Sequence, residues 1–178
     1  MVVILSIFNF KTKTINKRYE EHCEEARSFI QVHYVRERGS DRYAFNTLTI
    51  KSDPEREKCD EWYESHGNPN TFPEIASIYL TDKKKKDSVI CKSFGLDSKI
   101  FSSDKKGNVE KWEALAVCFG LNLNIAESRR LLKSEGYALT NSSISDLVIR
   151  YCIENTIYQL AEINYLLQKI CSRNLNQL

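Results

Sequence analysis

The chain has 178 residues, enough for a single sizeable core or a core plus a small helical appendage, and its formal net charge is only +2. Its six cysteines lie 19 to 36 residues apart, with no C-x-x-C pair and no histidine at ligand spacing, so a zinc site is not expected. No catalytic signature occurs in it, and no secretory signal opens it, which points to reduced core thiols in a cytoplasmic protein.

The apolar start at residues 2–8 is far too short to span a bilayer and is expected as a buried strand or the first turn of a helix. Over residues 14–38 the positions Ile15, Tyr19, Cys23, Ala26, Phe29, Ile30, His33 and Tyr34 step by three and four, which predicts an amphipathic helix. Residues 42–51, rich in β-branched and aromatic side chains, read as a short strand or extended arm. Ser52, Asp53, Pro54 and Glu55 carry the signals of a helix start, and the cluster His66, Gly67, Asn68, Pro69, Asn70 is the best domain boundary. Two domains follow: an N-terminal helical arm at 1–70 and a multi-helix bundle at 71–178, mainly α overall.

Within the second domain, helices are predicted at residues 73–80, 87–93, 97–102, 109–119, 125–134, 143–155 and 159–172. Asn108 precedes one of them, Asn124 with Glu127 opens another as a capping box, and Gly136 closes that helix where a left-handed residue is needed. Charge concentrates between residues 81 and 111, with nine lysines against five acids, whereas six bases meet six acids from Trp112 onward. That segment is a candidate for an anionic partner, although a run such as Lys83 to Lys86 is more often a solvated turn.

The short helices of residues 72–119 are similar in order to a Cro/repressor-type helix-turn-helix, with Phe94-Gly95-Leu96 as the turn. The resemblance implies a groove-facing helix at 97–102 and DNA contacts from Ser98, Lys99 and Ser102. Lys83, Lys84, Lys85, Lys86, Lys92, Lys105 and Lys106 would then touch phosphates. The run from "WEALAVCFGLNLN" through "SRRLLKSEGYALTNSSISDL" to "IENTIYQLAEINYLL" resembles a helical module found as a C-terminal extension of macro-domain and other proteins of Gram-positive bacteria and their phages. The match covers residues 87–167 and implies an architecture and origin more than an activity. The N-terminal "YEEHCEEARSFIQVHY" and "PEREKCDEWYESHG" resemble the C-terminal helical region of flavin-dependent tryptophan halogenases. That family's G-x-G-x-x-G and W-x-W-x-I-P motifs are missing, so halogenase chemistry is excluded, and two unrelated fragments in one chain suggest a mosaic or designed sequence.

The titratable constellations read as structural. His33 is expected as a hydrogen-bonded packing residue, and His22 and Cys23, adjacent on a helix, diverge too far to form a nucleophile-base pair. Glu20, Glu21, Glu24 and Glu25 could hold a metal if two helices converged, and otherwise form a solvated face paired to Lys17, Arg18 and Arg27. Arg129 and Arg130 offer a small basic face, and Tyr137, Tyr151, Tyr158 and Tyr165 read as core with hydroxyls reaching the surface. The functional expectation is a non-catalytic regulator without cofactor or metal that binds DNA as a homodimer through a degenerate helix-turn-helix. The alternative is a protein-binding inhibitor or antitoxin-like module, for example a phage counter-defence protein such as an anti-CRISPR; neither reading involves a membrane.

Overall fold

In the computed structural model, residues 2–35, 71–102 and 108–178 are described, the side chains of 2–16 excepted. All regular structure among them is helical. Seven α-helices follow in order: α1 (Val2–His33), α2 (Phe72–Asp82), α3 (Asp87–Phe94), α4 (Lys111–Gly120), α5 (Ile125–Ser134), α6 (Ile144–Glu154) and α7 (Leu160–Cys171). Two 3₁₀ turns, Ser98–Phe101 and Leu175–Gln177, complete the set. The expected strand at 42–51, the helix start at Ser52 and the boundary at His66 to Asn70 lie outside the described residues, as do Lys105 and Lys106.

At the centre stands α4, whose run Ala114 to Phe119 is buried all round. A helix apolar on every face needs neighbours on every face. Against it pack α3 on one side, α5 on another and the second 3₁₀ turn at its end, while α2 closes over α5. Gly120 lets α3 come close, since a methyl group there would sit 2.4 Å from Ile90 Cγ2. The start of α4 differs from the expectation: Glu110, not Asn108, is its N-cap, and Glu113 accepts from the Glu110 amide at 2.9 Å. Val109 is held extended and buried just before it, its carbonyl accepting from the Tyr137 hydroxyl at 3.0 Å.

The other caps follow the sequence. The Asn124 side chain accepts from the Glu127 amide at 2.9 Å and the Glu127 carboxylate from the Asn124 amide at 2.8 Å, the reciprocal capping box. Gly136 stands at φ +76, where a side chain would be strained.

Residues 2–8 are the first turns of α1, which resolves the choice between strand and helix. The helix packs on α6 and α7 through Cys23 and Ala26, three apart on one face, flanked by Phe29 and Ile30. Tyr19 meets Tyr165 of α7 at 5.4 Å between ring centres, and Phe29 meets Tyr151 of α6 at 5.8 Å.

One predicted helix is corrected. Residues 97–102 form a 3₁₀ turn of four residues, Ser98–Phe101, not an α-helix. The Asp97 carboxylate accepts from the Lys99 amide at 2.9 Å, a local bond that competes with helix propagation, and fully buried Ile100 pins the turn against α2 and α3.

Candidate functional site

The lysine run forms the connection between α2 and α3, and its members divide by geometry. Lys83 is already engaged, its ammonium 2.8 Å from the Glu127 carboxylate of α5. The chain then reverses through Lys84 in the left-handed region at φ 51, with the Lys84 amide donating to Thr81 and that of Lys85 to Leu80. Glycine is the usual residue at such a helix exit, because a side chain there costs about 1 kcal/mol. Lys84, Lys85 and Lys86 are exposed, and among the described residues none pairs with a carboxylate.

These three lysines line a groove of about 650 Å³. Most of its floor is apolar, with Val89, Ile90 and Phe94 of α3, Phe119 at the end of α4 and Tyr158 and Leu160 where α7 begins, and Ser93, Asn122 and Gln159 add uncharged polar groups. Among the described residues, no Asp or Glu lines it. Val89 is 58% exposed, which is unusual for a large aliphatic side chain on a short helix that buries Ile90 and Cys91. The Tyr158 ring stands edge-on to Phe119 at 6.4 Å and its hydroxyl donates to the Leu123 carbonyl at 3.2 Å, so the wall is fixed.

The remaining predicted DNA-contact residues are not gathered on a helix. Lys92 is exposed on α3, and Ser98 and Lys99 are exposed on the 3₁₀ turn, with half-buried Ser102 just beyond it. Four residues at a rise of about 2 Å make a segment too short to lie along a major groove.

A second cleft of about 420 Å³ lies between α1 and α7, lined by Lys17, Glu20, Glu21, Cys23, Glu24, Arg27, Tyr165 and Lys169. Its charges answer one another: Lys17 lies 3.7 Å from Glu21 and Arg27 2.6 Å from Glu24. No group of three or more His, Cys, Asp or Glu among the described residues is placed to hold a metal. Burial pushes the Cys23 thiol above its ordinary range, which suits a packing residue better than a nucleophile.

Several sequence expectations change here. Arg18 does not pair along α1; with His22 it reaches Glu162 of α7, at 2.6 Å each. Arg130 is buried, its guanidinium donating to the Tyr79 hydroxyl at 2.6 Å, so Arg129 and Arg130 do not form a basic face. The hydroxyls of Tyr137 and Tyr158 donate to the carbonyls of Val109 and Leu123, and that of Tyr151 to the carboxylate of exposed Glu25. His33 does as expected, its Nδ1 2.9 Å from the Phe29 carbonyl and its ring stacked on Phe29.

Comparison with protein-family models, with curated proteins and with solved structures finds no match to the chain. No helix among the described residues is long and apolar enough to cross a membrane.

Proposed function

We propose that the protein is a non-catalytic regulatory protein that acts by docking an acidic segment of a protein partner in the groove between α3, the end of α4 and the start of α7. The observation that carries this reading is the pairing of three exposed lysines with an apolar floor that has no carboxylate of its own. Lysines in that setting attract carboxylates and speed encounter, while the floor supplies the area that holds a bound segment.

The DNA reading keeps exposed cations for phosphate contact but has lost the helix meant to read bases, and phosphate contacts alone do not specify a sequence. The test compares the wild-type chain with the triple variant Lys84→Glu, Lys85→Glu, Lys86→Glu. Expected is a protein partner that co-purifies after nuclease treatment and at high salt, and that the triple variant loses. A mobility shift on random DNA at low salt, falling steeply as salt rises, would instead return the function to nucleic acid. If the wild type retains no partner and shifts no DNA, both readings fail.

A further inference from the structure

The groove does not end at its apolar floor. A smaller depression of about 240 Å³ adjoins it, and Phe94 and Leu160 belong to the walls of both. This second end is built differently. Trp112 forms its wall and Asn164, Asn174 and Asn176 its rim, with no charged side chain among the lining residues. Just outside, the Glu110 carboxylate accepts from the Trp112 indole N–H at 2.6 Å, which places a negative charge beside this end. Lys111, the next cation along the chain, is already bound to Asp146 at 2.6 Å, and exposed Arg173 stands beside the lining residue Asn174.

The two ends therefore prefer opposite ligand chemistry. Carboxylates are drawn to Lys84, Lys85 and Lys86, whereas the lining at Trp112 offers them no cation. An aromatic or large aliphatic side chain fits the uncharged depression, whose volume is below the roughly 300–1,000 Å³ of small-molecule sites and suits a single side chain. Buried aromatic anchors in such depressions contribute most of the affinity of many interfaces.

We infer that the partner is an amphipathic peptide segment bound in one fixed polarity, its acidic end on Lys84 to Lys86 and a large apolar anchor against Trp112. The inference rests on the groove reading above and adds the anchor and the direction. Phe94 and Leu160 line both depressions, so the two lie within reach of one extended segment.

The test uses the full chain with Trp62→Phe, which leaves Trp112 as the sole tryptophan of the two. Random dodecapeptides are selected on it by display, and the recovered peptides are synthesised whole and without their apolar end. Expected are peptides with acids at one end and an aromatic or large aliphatic residue at the other, whose binding shifts Trp112 fluorescence. Asn176→Phe, which plugs the depression from an exposed position, weakens the whole peptides about tenfold and leaves the truncated ones unchanged. If acidic peptides bind and depend on the three lysines, but Trp112 stays silent and Asn176→Phe has no effect, the fixed polarity is wrong and the groove reading stands. If no acidic peptides are recovered, or charge reversal of the three lysines leaves binding intact, the groove reading itself falls.

Discussion

The carboxylate of Glu162, only 4% exposed, lies 2.6 Å from Nδ1 of His22 across the seam between α1 and α7. Its other oxygen accepts from Arg18 at the same distance, so one buried anion on α7 holds two positions of α1 four residues apart. Around it the seam is built from small or half-buried groups, Cys23 and Ala26 with Tyr19 against Tyr165. The polar clamp therefore fixes two positions of α1 on α7.

Glu162→Gln keeps the shape and removes the charge. Since Arg18 is half exposed and rehydrates readily, the expected loss is about 1–3 kcal/mol, felt locally at the seam. Hydrogen exchange checks this: amides of α1 lose protection in the variant while those of α4 and α6 keep theirs. Unchanged protection of α1 would show that the apolar contacts alone seat the helix.

Lys84→Gly is expected to stabilise the fold by about 0.5–1 kcal/mol, because it relieves the left-handed backbone at the end of α2. It also weakens binding of acidic peptides. Thermal unfolding and peptide titration of the same sample measure the two effects, which should have opposite signs.

Gly120→Ala has a steric cost. The added methyl would stand 2.4 Å from Ile90 Cγ2, so α3 must move off α4, at about 1–3 kcal/mol. Combining it with Ile90→Ala should recover part of the loss relative to the sum of the single changes, as urea denaturation of the four proteins will show. Simple additivity would mean that the two helices separate freely.

Burial pushes the Cys118 thiol up to about 12, and that of Cys152 upward as well. Unfolded thiols ionise near about 8.5, so above that pH the unfolded chain binds fewer protons than the folded one and stability falls as pH rises. The contribution is complete at neutral pH and shrinks by about 1.4 kcal/mol per pH unit for each such thiol above about pH 9. Urea midpoints measured from pH 7 to 10.5 should be level and then decline, and Cys118→Ala should make the decline shallower.

How much was legible in the sequence depended on whether a feature is local. The capping box at Asn124 and Glu127 and the left-handed exit at Gly136 involve residues within a turn or two of one another and stand as read; on the apolar face of α1 Cys23 and Ala26 are buried, but the helix ends at His33 and Tyr34 beyond it is exposed. The 3₁₀ turn at Ser98–Phe101 was misread because a helix-sized gap with a plausible cap looks the same whether or not Ile100 is held in a core. The groove was half visible: its three exposed lysines lie within the thirty or so residues of lysine excess. Its floor was not, because Phe119, Tyr158 and Leu160 are brought beside Lys84 to Lys86 only by the packing of α3, α4 and α7. Glu162 gave no signal either, since its partners lie 140 and 144 positions away.

That separation also bears on the order of events in folding. Helices α2 to α7 find many of their partners among near neighbours in the chain, α3 with α4, α4 with α5, and α6 with α7, and such local pairings form early. The contacts of α1 with Tyr151 and Glu162 span 126 to 144 residues, so its entropy of ring closure falls due before any contact rewards it. The surface it needs on α6 and α7 does not exist until those helices are paired. Of the described helices, the first to be synthesised is therefore expected to be the last to be seated.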